Sequence, residues 1–159
     1  MNRIETVRKV VDGILLNITD DEERRCAYIH LYGVSQACAI LAAKRGGNAE
    51  LAVISGMLHD IYTYAAMDSA DHAHKGAIMA KELLTDMDIF DDNEIDMICT
   101  AIYNHSDKKA VHDSMDELLK DTDVMQHALY DPTSVVKNDE RERFDAVARE
   151  LGIAYSSTL

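Results

Sequence analysis

The chain has 159 residues, of which 47% are apolar, with one proline and no tryptophan. That length and apolar content suit one domain around one core and exclude global disorder. A formal net charge of -13 disfavours a grip on long DNA or RNA, which needs basic stripes to displace counterions, but leaves room for a small phosphate ester in a metal-neutralised pocket.

Helix signals recur along the chain, and no convincing period-2 strand pattern appears. Ile4, Val7, Val10, Val11, Ile14 and Leu15 form an apolar stripe at helical spacing. Thr19-Asp-Asp-Glu22 reads as a capping box with Thr19 as N-cap. It opens a long helix whose inward side is expected to carry Cys26, Ile29, His30, Gly33, Val34, Ala37, Ile40 and Leu41. Gly46-Gly47 ends that helix, since glycine readily takes the left-handed C-cap conformation. Asn48 caps the next, which runs through Leu51, Ile54, Met57 and Leu58 to His59-Asp60. The segment Ile61 to Ala70 breaks the period and reads as a loop. A helix follows from near Asp71 to Leu84. Asp91-Asp-Asn-Glu94 caps another that runs to near His105. Lys108 to Asp113 is a polar loop, and Ser114-Met-Asp-Glu117 reads as a further capping box, opening a helix through Leu118, Leu119, Val124 and Met125. Pro132 interrupts, and a last helix from near Asp139 to Leu151 stops at Gly152. The expected class is all-α, a compact single-domain bundle of roughly six or seven helices.

Cys26, Cys38 and Cys99 each lie in an apolar helical pattern, and no CxxC pair exists. Free buried thiols in a reducing compartment, the cytoplasm, are therefore expected. The segment Met1 to Arg8 lacks the apolar core of a signal peptide, and no run approaches the ~20 apolar residues of a membrane span.

The residues with the most chemistry are His59-Asp60, which end the apolar run Leu51 to Leu58. Adjacent helical residues point about 100° apart, so both reach one ion only near a helix end or bend. The aperiodic stretch from Ile61 supplies one. On another reading Asp60 is a cap-region residue and His59 offsets the helix dipole. His30 sits on an apolar helix face, either as a core residue or as a ligand. Asp123 lies between inward-facing neighbours, where an ionised carboxylate must be paired or ligated. Asp121 is either the alternative ligand or a solvated first-turn acid. His72 and His105 lie on separate helices. A metal is the simplest reason to aim so many imidazoles and carboxylates inward. His74 points away from His72 and is expected in solvent. His112 reads as loop surface, and His127 as a helix residue beyond the site.

The order of these residues resembles the HD-domain superfamily of metal-dependent phosphohydrolases. The resemblance runs from Arg24-Arg-Cys-Ala-Tyr-Ile-His30 to Asp123-Val-Met-Gln-His127. His30-Leu-Tyr-Gly-Val-Ser resembles the first histidine motif, and Met57-Leu-His-Asp-Ile61 the signature dipeptide. His72-Ala-His-Lys-Gly-Ala77 resembles the intermediate histidine-glycine motif, and Ala101-Ile-Tyr-Asn-His105 the second intermediate histidine. Leu119-Lys-Asp-Thr-Asp-Val124 resembles the closing aspartate motif.

The resemblance implies one HD-type helical domain over the whole chain, with a motif-bearing core at about 20–130. It implies His30, His59, Asp60 and Asp123 as ligands of a divalent ion, Mn, Fe, Co, Ni or Mg. Asp123 is preferred to Asp121 because Thr122 precedes it and Val124 follows. His72 and His105 match positions that bind a second metal bridged by the signature aspartate in some members and face the substrate phosphate in others. The chain departs from the two-metal members at Ser106, where they often carry a doubled histidine. The implied reaction is hydrolysis of a small phosphate ester, a nucleotide or related phosphomonoester or diester, by hydroxide generated on the metal. Asp60 would orient or bridge, His72 or His105 would protonate the leaving oxygen or clamp the phosphate, and Lys75 and Lys120 would contact it. Tyr62 or Tyr64 would stack on a base or pack on neighbouring helices. The expected partner is a small phosphorylated substrate, with no long nucleic acid and no membrane; a homo-oligomer stays open. Two-iron oxygenase chemistry and a non-catalytic nucleotide- or metal-binding module are the alternatives.

Overall fold

Eight helices and no strand make up the described residues, 2–155 of this computed structural model. They are α1 (Arg3–Leu15), α2 (Asp21–Arg45), α3 (Ala49–Leu58), α4 (Ile61–Ala66), α5 (His72–Met87), α6 (Asp92–Asn104), α7 (Ser114–Tyr130) and α8 (Arg141–Leu151). The all-α class is as expected. The number of helices exceeds the expectation because Ile61 to Ala66, read as loop, forms α4. Its six residues are too few to display a helical period, so the sequence pattern could not reveal it.

Most helix ends follow their capping chemistry. The Asn48 side chain accepts from the Leu51 amide, Asp91 and Glu94 form a reciprocal capping box, and Gly46 closes α2 with φ 71°. Two expected caps differ. Asp20 caps α2 instead of Thr19, accepting from the amides of Glu22 and Glu23; aspartate is the stronger N-cap of the two. The box at Ser114 does not form. Asp113 occupies the N-cap position without a side-chain bond, and Glu117 is drawn into tertiary contacts instead.

Helix α2 is the centre of the bundle, packed chiefly on α3 and α7. It buries Ala27, Leu31, Val34, Ser35, Ala37, Cys38, Leu41 and Ala42. The expected inward side is thus corrected: Ile29 is 40% and Ile40 56% exposed, while small residues face the helix crossings, where backbones come closest. By length and composition α2 also meets the requirements of a membrane span, which counting apolar runs had not suggested. Half of its most apolar window is buried inside the fold, as in a core helix. The cysteines Cys26, Cys38 and Cys99 are free thiols.

Helices α7 and α8 and the loop before α7 are joined by an ion-pair network. Glu117 Oε1 accepts from Lys120 Nζ (2.9 Å) and the His112 amide (3.1 Å), and Oε2 from Arg143 Nη1 (2.9 Å). Burial works against the Glu117 carboxylate, yet these donors outweigh it and bring its pKa down to about 2 from 4.5. A depressed folded-state pKa contributes stability that is fully present above the unfolded value. It is lost as pH falls from 4.5 through about 2. Glu117→Gln is therefore expected to cost on the order of 3 kcal/mol at pH 6, shrinking toward zero near pH 2. Urea unfolding of both proteins across that range checks it; a pH-independent difference contradicts the network.

Candidate metal centre

The centre is built where helix termini converge on the middle of α2 and α7. Helix α3 ends at Leu58 with His59 as its C-cap, and Asp60 (φ -111°, ψ 16°) breaks the chain before α4 starts at Ile61. This two-residue break lets adjacent side chains face one point, as the spacing argument required. Left-handed residues Met67 (φ 52°) and Asp71 (φ 54°) turn the chain between α4 and α5, delivering His72 as the first residue of α5. His105 follows the last residue of α6. Asn104 donates to the buried Asp116 of α7 at 2.7 Å, fixing that end of α6 against the helix carrying Asp123.

The imidazoles present their Nε2 atoms to two carboxylates. His30 Nε2 lies 3.0 Å from His59 Nε2, 3.4 Å from Asp60 Oδ2 and 3.6 Å from Asp123 Oδ1. His59 Nε2 is 3.7 Å from Asp60 Oδ2 and 3.6 Å from Asp123 Oδ1. The other oxygen of Asp60 faces away from this group: Oδ1 is 3.5 Å from His72 Nε2 and 3.3 Å from His105 Nε2. One carboxylate thus spans two groups of ligand atoms. His59 and His105 are buried, and Asp60 is the more open of the two carboxylates.

The opposite ring nitrogens are all engaged. His30 Nδ1 faces Gln126 Oε1 (2.7 Å), His59 Nδ1 the Gly56 carbonyl (2.9 Å), His72 Nδ1 the Ser69 carbonyl (3.1 Å) and His105 Nδ1 the Ile102 carbonyl (2.6 Å). A carbonyl can only accept, so each Nδ1 donates, and a ring that gives up its other proton does so at Nε2, leaving there the lone pair a metal ligand needs.

The electrostatics fit a cation. Asp60 Oδ1 and Asp123 Oδ1 are buried oxygens with no hydrogen-bond partner, and an unsatisfied buried carboxylate oxygen is costly unless a cation meets it. Burial pushes both carboxyls up, but His59, His105 and His30 around Asp60, and Lys108 and His59 around Asp123, hold them well below the usual range. Burial, joined by the neighbouring His30, lowers the His59 pKa against the pull of Asp60 and Asp123. In His30 the carboxylates of Asp60 and Asp123 outweigh burial and raise it. The residues present therefore suit a divalent ion: ionised carboxylates, imidazoles that turn Nε2 inward, and two unpartnered oxygens in one cluster.

Other expected residues fall elsewhere. Asp121 is committed to Arg45 Nη2 and Arg143 Nη1, each at 2.6 Å, and is not in the cluster. Lys120 is fully buried, with Nζ on the Ala110 carbonyl, Glu117 and His112 Nδ1. It has no route to a phosphate, and His112 is its acceptor instead of free loop surface. Lys75 pairs with Asp68 at 3.1 Å and lies over the Tyr62 ring, outside the ligand cluster. His74 is exposed, as expected, and paired with Asp71. Tyr64 lines a cavity of about 390 Å³ beside the centre, together with His30, Asp60, Gln126, His127 and Tyr130.

Sequence reasoning missed two neighbours. Lys108, assigned to a polar loop, places Nζ 2.5 Å from Asp123 Oδ2, and its carbonyl accepts from Arg143 Nη2. No periodic signal could have found it. His127, placed beyond the site by the sequence, stands in it: His30, Asp123 and His127 offer ligand atoms within 4.8 Å of one another. Its spacing of four residues from Asp123 on one helix was the available signal.

A crystal structure of a predicted HD superfamily hydrolase from an uncultured Thermotogales bacterium shares this fold with a TM-score of 0.62, at 20% identity over 93% of this chain and 88% of that one. Among curated proteins, none matches the chain by sequence. A family model of the HD domain matches residues 27–128, a span that includes His30, His59, Asp60, His72, His105, Asp123 and His127. The chain belongs to the HD-domain family.

Proposed function

We propose that the protein is a metal-dependent phosphohydrolase acting on a small phosphate ester, a nucleotide or a related phosphomonoester or diester. The observation that carries this reading is the pair of buried, unpartnered oxygens, Asp123 Oδ1 and Asp60 Oδ1, each facing imidazole Nε2 atoms. His30, His59, Asp60 and Asp123 would hold one divalent ion, and Asp60 with His72 and His105 a second. Such ions lower the pKa of bound water and offset phosphoryl charge.

The chain's own residues divide the remaining work. Asp60 fixes the spacing of the two ligand groups by spanning them. Gln126 and the Gly56, Ser69 and Ile102 carbonyls hold the rings in register. Where only one ion is bound, His72 and His105 are free to donate to a phosphate oxygen or to the leaving group. The adjacent cavity of about 390 Å³ fits a small ester, and Tyr64 and Tyr130 offer ring faces to its organic part. Lys137 adds a positive charge to the cavity wall. The acidic chain as a whole would repel longer polyanions. The free thiols fit a cytoplasmic setting.

The test is phosphate release from nucleotides and generic phosphate esters by protein stripped with a chelator, then restored with Mn, Fe, Co, Ni or Mg. Turnover should appear only on restoration. Undiminished turnover in the stripped protein sinks the proposal. A second reading, two-iron oxygenation, draws on the placement of both His72 and His105 at Asp60 Oδ1. Two iron ions per chain, with oxygen consumed on an organic substrate, would favour it.

A further inference from the structure

Helix α7 carries Asp123 and His127 one turn apart, so their side chains leave the same face. His127 Nε2 lies 3.5 Å from Asp123 Oδ1, the oxygen that also stands 3.6 Å from both His30 Nε2 and His59 Nε2. Imidazole nitrogens of three residues therefore surround one buried oxygen that accepts no hydrogen bond. These separations are long for hydrogen bonds. They suit atoms sharing a cation: ligands about 2.1 Å from an ion are roughly 3.0 Å apart at a right angle and 3.4 Å at the tetrahedral angle.

The far side of the ring agrees. His127 Nδ1 faces Glu140 Oε1 at 3.5 Å, and Glu140 is buried. The other imidazoles of the cluster also turn Nδ1 to an oxygen, but theirs are neutral amide oxygens; His127 alone among them has a carboxylate. The 3.5 Å separation is too long for a hydrogen bond, but the carboxylate places negative charge behind the ring, which favours a cation at the metal-facing Nε2. The His127 ring lies parallel to that of His30, with centroids 5.1 Å apart and planes at 9°, so both rings reach the same oxygen from one side.

We propose that His127 is a further protein ligand of the cation held by His30 and Asp123, reaching it from the cavity. The inference rests on the metal-dependent reading above and adds to its ligand set. An imidazole nitrogen has one lone pair, so His30 Nε2 binds one ion at a time. His127 therefore joins that ion instead of founding a third position beside it. Being 37% exposed, it is the ligand an incoming substrate meets first.

The experiment titrates the chelator-stripped full chain with Mn2+ by calorimetry and with Co2+ by visible absorption, in wild type, His127→Gln, His127→Ala and Asp60→Ala. The metal-free melting temperatures of the two His127 variants should stay within about 3 °C of wild type, as expected for loss of a part-exposed side chain. Both should weaken the tightest Mn2+ site by about tenfold or more, a loss typical when a metal site is disturbed. They should alter the Co2+ spectrum and leave the number of ions at saturation unchanged. Wild-type affinity and spectrum in both His127 variants, with Asp60→Ala impaired, overturn this inference and leave the metal-dependent reading standing. Unchanged metal binding with lost turnover also overturns it, making His127 a group that touches substrate. A wild-type chain that binds neither ion removes both readings together.

Discussion

Asp60→Ala is expected to lower metal-dependent turnover by ~10³-fold or more, equivalent to about 4 kcal/mol of transition-state stabilisation. The size follows from its position. Asp60 Oδ2 serves the His30–His59 group and Oδ1 the His72–His105 group, so one truncation disturbs both. The loss should come with a second signature that a general weakening of the fold would not give. An ion present at 100 times its Kd stabilises the folded chain by about 2.7 kcal/mol. For a chain of this size that raises the melting temperature by roughly 5–10 °C. Wild type should show this rise on adding Mn2+ and Asp60→Ala little of it, with both proteins folded when metal-free. Phosphate-release assays and calorimetry on the same preparations check the two effects. Turnover or a metal-induced shift that survives the substitution would show that Asp60 does not hold the centre together.

The second large effect is structural. A methyl group added at Gly56 would stand 2.7 Å from Ser35 Cα, 2.9 Å from Ser35 N and 3.1 Å from Cys38 Sγ. The first two are backbone atoms of α2, which cannot rotate aside, so α2 and α3 must move apart. Gly56→Ala is therefore expected to cost about 2–4 kcal/mol and to lower the melting temperature by roughly 5–12 °C. The centre should feel it too, because the Gly56 carbonyl holds His59 Nδ1 at 2.9 Å; metal affinity should fall along with stability. Gly13 provides the control. It sits within α1 with nothing within 4 Å of an added methyl, so Gly13→Ala should be neutral or stabilising by up to about 1 kcal/mol, the helix preference of alanine. Equal melting temperatures for Gly56→Ala and wild type would contradict the close approach of the two helices.

Much of the fold was legible because helix formation and capping are local. Asn48, Asp91, Gly46 and Gly152 mark helix ends through backbone groups only a few residues away. Errors arose where a distant partner intervened. Glu117 did not close a box with Ser114 because Lys120, Arg143 and the His112 amide claimed its oxygens. Ile29 and Ile40 turned outward although they are more apolar than the alanines that replaced them on the inward side. Helix crossings select for small side chains as well as apolar ones, and a single sequence does not show where the crossings fall.

For the centre, the sequence by itself determined which ligand-bearing residues exist and in what order: His30, His59-Asp60, His72, His105 and Asp123, spaced along an all-α chain. That much is written in residue type and helical period. Tertiary structure decided which atoms meet. Arg45 and Arg143, separated from Asp121 by 76 and 22 residues, take that carboxylate and leave Asp123 facing the imidazoles. The break at Asp60 divides its two oxygens between two groups of rings. The loop carrying Lys108 folds against Asp123, and His127 shares the oxygen that His30 and His59 surround. The reason is that helical periodicity fixes the direction of a side chain about its own axis, whereas a common ligand point requires the axes of several helices to cross at set distances.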